Sequence, residues 1–302
     1  MKPVDMFLSN LRPRPLPPRG LLRRPCAPAR RTAASRAAGA RLAAALAVLA
    51  LAACATPGER YDRRASALGF AAMGLQGAGF PHRAYAAGVG QRPATLHVYV
   101  EHDGTPWVRP DRVSADPTPR TPFALELMAK DSGARLLLGR PCHFDPHPDP
   151  PCDPRVWTHE RYSPAVVDSM VAALRSFLSA HPHERVVLVG YSGGGTLAWL
   201  IAARVPEATG VVTIAANLDV DAWTRIHGYS ALAGSLDPAL APALAPGIDQ
   251  RHYVGGHDTN VPPSVVRSFA RRHPEARVIE IAEFDHECCW IERWPALLAG
   301  VR

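Results

Sequence analysis

Ser192 stands in Gly190-Tyr191-Ser192-Gly193-Gly194, a glycine-flanked serine of the pattern G-x-S-x-G. A serine hydroxyl is a weak nucleophile at neutral pH. It attacks an acyl carbon only when a base takes its proton and a carboxylate orients that base. Two later stretches carry such groups: Gly255-Gly256-His257-Asp258, and Phe284-Asp285-His286. Together the three types would support nucleophilic acyl transfer, provided that a fold brings them together and adds two N–H donors for the oxyanion.

The elements around Ser192 are of the kind this chemistry needs. Val186 to Val189 is a continuous β-branched and aliphatic run, which predicts a strand buried on both faces of a parallel sheet. From Thr196 the apolar residues Leu197, Leu200, Ile201 and Val205 recur at helical spacing, so strand becomes helix within about five residues. Only a sharp glycine-lined turn does that, with the serine at its apex. A phosphate-cradling loop is the competing reading of the glycines. It lacks the required lysine, since Lys130 is the only lysine after Lys2, and the G-x-G-x-x-G spacing is absent.

Further strands are predicted at Thr95–Val100, Ala134–Leu138, Gly210–Ala215, Arg251–Val254 and Arg277–Ile281. Helices are predicted over 119–130, from the Ser163 cap and Pro164 onward, over 262–272 and near Trp290. Upstream, the pattern predicts a helix around Arg64 to Leu75 and edge strands near Phe80 to Ala87. Strands alternating with helices imply an α/β fold with a doubly wound, mostly parallel sheet, whose site lies beyond the carboxyl ends of the strands. Asp258 and His286 both follow predicted strands.

With the residues so placed, the chain from about Thr95 onward resembles the α/β-hydrolase family, particularly its bacterial lipoprotein members. That resemblance implies the chain order nucleophile, acid, base: Ser192, Asp258 and His286. Asp219 and Asp221, after the preceding strand, compete for the acid. His257 adjoins the acid and His273 closes a helix, so both sit poorly for a base. For the oxyanion the resemblance implies the Gly193 N–H and a donor from Glu101-His102-Asp103-Gly104, with Asp103 first and His102 second. Many relatives carry His-Gly-type residues at that turn, and this chain departs from them. The implied activity is a serine hydrolase that cleaves an ester or related acyl bond of a small-molecule or lipid substrate through an acyl-enzyme, with no cofactor and no metal. A non-catalytic envelope-binding protein on the same fold is the alternative. A nucleotide-binding oxidoreductase would carry its glycine turn after the first strand, not after several.

The chain has 302 residues and a net charge of +7. That charge belongs to the beginning of the sequence: residues 1–53 hold Lys2 and nine arginines against Asp5, and residues 54–302 are left at −2. No basic stripe remains for a nucleic-acid partner. The apolar run Leu42 to Ala53 is too short for a permanent span and fits an export signal. Leu51-Ala52-Ala53-Cys54 looks like a lipobox, which implies lipidation of Cys54, a membrane anchor and a periplasm-facing place in a bacterial cell envelope. The organisation expected is a signal over 1–53, a linker with edge strands over 54–94 and the hydrolase domain over 95–302.

Export makes disulfides admissible, and Cys142, Cys152, Cys288 and Cys289 allow three pairings. A bridge from Cys142 to Cys152 closes the Pro-rich loop between them and is the expected one. Cys288 and Cys289 then pair with each other or stay as two buried thiols beside Trp290, and the thiols are the simpler expectation. His143, Asp145, His147, Asp149 and Asp153 in the Pro-rich loop read as solvated turn residues rather than metal ligands. Residues 217–250 would form a short lid over an open pocket, with Trp223, Ile226 and Leu232 available to line it.

Overall fold

The structure, a computed structural model, describes residues 55–91, 94–145 and 151–301. Its strands are β1 (Ala71–Gln76), β2 (Pro81–Ala87), β3 (Thr95–Val100), β4 (Trp107–Arg109), β5 (Arg112–Val113), β6 (Ala134–Leu138), β7 (Arg185–Tyr191), β8 (Ala208–Ile214), β9 (Asp249–Gly255) and β10 (Arg277–Ile281). The helices are α1 (Pro57–Ala67), α2 (Phe123–Ala129), α3 (Pro164–Ala180), α4 (Gly193–Ala202), α5 (Val220–His227), α6 (Pro263–Ala270) and α7 (Trp290–Leu298).

Eight strands form one sheet in the order β1-β2-β6-β3-β7-β8-β9-β10. β2 pairs antiparallel with both of its neighbours, and every pairing from β6 to β10 is parallel. β4 and β5 make a separate two-stranded ribbon. The mostly parallel α/β sheet expected from the alternation is therefore present, and the β1–β2 hairpin extends it at one edge.

Both faces of the sheet are covered, which explains the unbroken apolar runs. Side chains alternate along a strand. Val186 and Leu188 of β7 join a core with α3, α4 and α6, while Val187, Val189 and Tyr191 join a second core with α1, α2 and α7. β3 and β6 divide in the same way: Val98 and Leu136 face one core, Tyr99 and Leu137 the other.

Local signals set the boundaries. Ser163 Oγ accepts the Val166 N–H and Pro164 follows as the first helical residue, so α3 begins where its cap dictates. At the start of the described chain the expectation fails. The helix placed around Arg64 to Leu75 is instead α1, opened by a capping box between Thr56 and Glu59, and β1 occupies Ala71–Gln76. Gly69 at φ +85° ends the helical path.

Two of the buried histidines are His252 and His143, neither of which forms an ion pair among the described residues. His252 of β9 is fully buried with Nδ1 2.9 Å from Thr213 Oγ1, and His143 is 7% exposed with Nδ1 2.9 Å from the Pro141 carbonyl. Burial lowers both pKa values to about 3, helped by His273 beside His252 and by Arg140 beside His143. The unfolded chain takes up these protons below about pH 6.5. Between that pH and about 3 it binds more protons than the folded one, so stability falls as pH falls. At pH 5 each ring costs about 2 kcal/mol. Thermal melts from pH 7 to pH 5 are expected to lose roughly 8–16 °C, and His252→Gln to show a shallower pH slope. A melting temperature flat across that interval would contradict this account.

Candidate active site

The site is built on the turn between β7 and α4. Ser192 holds φ 52° and ψ −126°, a conformation a non-glycine residue keeps only when its surroundings impose it. They do so through packing. A Cβ on Gly190 would collide with the Gly194 carbonyl, and one on Gly194 would collide with the Val100 and Glu101 carbonyls at the end of β3. The glycines let three backbone segments cross, and the Ser192 N–H is fixed to the Ile214 carbonyl at 2.9 Å. Ser192 thus sits where β3, β7 and β8 end.

The loops after β9 and β10 deliver the other two expected groups to this serine. His286 Nε2 lies 3.2 Å from Ser192 Oγ, and His286 Nδ1 lies 2.8 Å from Asp258 Oδ2. The Asp258 side chain is fully buried. Its other oxygen accepts the Asn260 and Val261 N–H groups at 2.9 and 2.7 Å, so both oxygens are held in place. The His286 carbonyl accepts hydrogen bonds from Tyr191 Oη at 3.1 Å and Trp290 Nε1 at 3.2 Å, which fixes the loop behind the imidazole. Burial, then the carboxylates of Glu287 and Asp258, raise the Tyr191 phenol well above its ordinary pKa, so it remains a donor.

The competing residues lie elsewhere. Asp219 caps α5 through the Ala222 N–H, and Asp221 pairs with Arg225. His257 is exposed, and His273 is buried on Phe269 with Nε2 3.0 Å from the Pro238 carbonyl. Neither histidine bonds to Ser192.

Gly193 follows the serine in sequence, and His102 and Asp103 lie beside it in the same cleft. Gly193 opens α4, so its N–H has no place in the helix ladder. His102 and Asp103 line the same cleft as Ser192, and among the described residues their backbone N–H groups have no hydrogen-bond partner. His102 is held by its ring, whose Nε2 lies 3.0 Å from the Thr121 carbonyl and whose Nδ1 accepts the Gly104 N–H.

The Asp103 carboxylate has company that the sequence did not disclose. Oδ1 accepts from Arg140 Nη1 at 2.5 Å, Oδ2 accepts from Arg161 Nη1 at 2.8 Å, and Tyr162 Oη reaches both oxygens. A Cβ on Gly193 would run into this carboxylate, so the cluster packs directly against the turn. Burial opposes the charge on Asp103, but the Arg161 and Arg140 guanidinia outweigh it and hold the carboxyl well below the usual range. These four residues come from the loops after β3 and β6 and from the approach to α3, three separate places in the sequence. The only local signal was that positions 103 and 140 follow strand ends.

The cleft has a volume of about 290 Å³ and is lined on its apolar side by Phe123, Tyr191, Trp223 and Val261. Phe123 stacks on Tyr191 at 3.9 Å, and Trp223 Nε1 donates to the Asn260 carbonyl. Of the three residues expected to line the pocket, Trp223 does so. Ile226 is 52% exposed, and Leu232 packs against the main core. Ile226 lies on the solvent face of α5, and Leu232 lies beyond that helix, in the segment that returns to the core.

The cysteines resolve in part against expectation. Cys142 and Cys152 are joined, with Cα atoms 5.5 Å apart. Cys288 and Cys289 are also joined to each other, not left as two buried thiols. Cys288 is exposed and Cys289 half-buried, because Asp285 Oδ1 accepts the Glu287 and Cys288 N–H groups and turns this stretch toward the surface. In the Pro-rich loop the His143 ring is buried, and Asp153 caps Arg155. His147, Asp149 and Cys54 lie outside the described residues.

No family model matches the sequence, and no curated protein resembles it closely enough to align. Solved structures do resemble it in shape. An esterase of Pyrococcus furiosus superposes with a TM-score of 0.52 at 12% identity, over 77% of this chain and 91% of that one. An acylaminoacyl peptidase of Pyrococcus horikoshii gives 0.52 at 10% identity, over 76% of this chain and 41% of its own. An α/β serine hydrolase without a lid from Xanthomonas campestris gives 0.50 at 15% identity, over 77% and 94%. The fold is that of the α/β-hydrolases.

Proposed function

We propose that this chain is a serine hydrolase that cleaves an ester or related acyl bond through an acyl-enzyme. The observation that carries the reading is the run of contacts from Asp258 through His286 to Ser192 at the apex of the strained turn. In this mechanism Ser192 Oγ attacks the acyl carbon as His286 Nε2 takes its proton. Asp258 keeps the imidazole in the tautomer that accepts at Nε2 and stabilises the imidazolium. The oxyanion is received by the Gly193 N–H and by that of Asp103 or His102. His286 then protonates the leaving group, and water repeats the sequence on the acyl-enzyme.

The names of the fold neighbours support an acyl bond without choosing among its kinds, since they include esterases and a peptidase. The rival, a non-catalytic binding protein on this fold, has no use for a base 3.2 Å from a serine hydroxyl. Labelling with a fluorophosphonate separates the two: the hydrolase forms a covalent adduct at Ser192, and the binding protein forms none.

The same reading extends to the cell envelope. Cys54 after Leu51-Ala52-Ala53 is the acceptor for a lipid anchor, and multiple acyl chains hold a protein where one is marginal. Expressed in a bacterial host with an alkyne-tagged palmitate, the wild-type chain is expected to take up the tag and sediment with membranes, and Cys54→Ala to do neither. Untagged wild-type protein would refute the anchor.

A further inference from the structure

Arg161 and Asp103 share the wall of the cleft beside Ser192, with Arg140 buried against the same carboxylate, and the surplus positive charge that reaches the cleft lies at Arg161. Arg161 is 6% exposed. Nε donates to the Thr158 carbonyl, Nη1 donates to Asp103, and among the described residues Nη2 has no hydrogen-bond partner. Arg161 and Ser192 line one cleft. Nη2 is not sealed in the interior but opens on the cleft, where an anion reaching it meets a charged donor held in place by its other two bonds. Arg140 cannot be that donor's counterpart, being itself cationic, and Asp103 is already shared between the two.

We infer that Arg161 receives a carboxylate carried by the acyl part of the substrate, so that the preferred substrates are half-esters of dicarboxylic acids. This deepens the serine hydrolase reading and rests on it. The anion belongs to the acyl side because His286 must protonate the departing oxygen, which places the leaving group against His286. There the exposed carboxylate of Glu287 lines the rim and repels an anionic alcohol. Arg161 instead enters through Asp103, which lies against Gly193 on the oxyanion side of the serine. A carboxylate suits the open donors better than a phosphate. They are Arg161 Nη2 and the second amide hydrogen of Asn217, whose first goes to Tyr162 Oη at 3.3 Å, and two donors match two oxygens. The cluster's single net positive charge would leave a phosphate dianion half-neutralised.

The test compares monoethyl malonate, succinate and glutarate with the neutral esters in which the free carboxyl is replaced by a primary amide. At pH 7 and low salt, wild-type kcat/KM is expected to favour the anion in at least one pair by about tenfold to a hundredfold, the range of a charge-assisted hydrogen bond. In Arg161→Gln that ratio is expected to fall to about one. Should Arg161→Gln fail to fold, calorimetry on Ser192→Ala with the same pairs reads the preference as binding. Equal values within every pair, or a ratio unchanged in Arg161→Gln, would overturn the assignment. If wild-type protein fails to react with a fluorophosphonate, the hydrolase reading falls, while the calorimetric preference still decides what Arg161 holds.

Discussion

Ser192→Ala is expected to abolish covalent labelling by a fluorophosphonate and to lower kcat/KM toward p-nitrophenyl acetate by about 10⁴-fold or more, with the melting temperature nearly unchanged. The size of the effect follows from the step removed, because without the hydroxyl no acyl-enzyme forms. The mild structural cost follows from the contacts. Ser192 Oγ makes no cap bond to α4 and meets only His286 Nε2. The backbone strain at φ 52° is imposed by the crossing at Gly190 and Gly194, and alanine keeps the same Cβ. Turnover retained in a well-folded mutant would exclude Ser192 as the nucleophile.

Asp258→Asn should cost nearly as much, about 10⁴-fold in the best-studied triad. An asparagine in this pocket keeps the shape but no longer balances the imidazolium, and its amide nitrogen favours the wrong tautomer of His286. The two N–H groups of Asn260 and Val261 still require an acceptor, so the amide oxygen turns toward them and its NH₂ faces the ring. Asp219→Asn, whose side chain touches the first turn of α5 and Arg272 and not His286, is expected to leave kcat within a few-fold of wild type. A reversed order between these two mutants would move the acid to Asp219.

What the sequence disclosed is what is encoded locally. The β7–α4 turn could be read because its strand is uniformly apolar and its glycines sit where backbones cross. α3 could be read because Ser163 and Pro164 mark its first turn. The misplaced first helix had equally local signals, Thr56 with Glu59 and then Gly69, but the apolar residues beyond Gly69 overrode them in the pattern. The Asp103 cluster was illegible for a different reason. Arg140, Arg161 and Tyr162 acquire their role only through the order of strands, and no spacing along the chain announces that order. The bond between Cys288 and Cys289 turned on exposure, which depends on how Asp285 bends its loop.

The sheet also ranks its three key residues by how firmly each is rooted. Ser192 grows from β7, which has strands on both sides and six buried residues in seven. Asp258 follows β9, one place from the margin. His286 follows β10, which pairs on one side only and has no buried residue along its length. Amide exchange distinguishes such strands, because an outer strand opens in excursions far shallower than global unfolding. Each such excursion of β10 carries the imidazole away from a serine that stays in place. On the proposed mechanism the molecule falls silent while its interior is still intact, and its working lifetime is governed by one marginal strand rather than by the core.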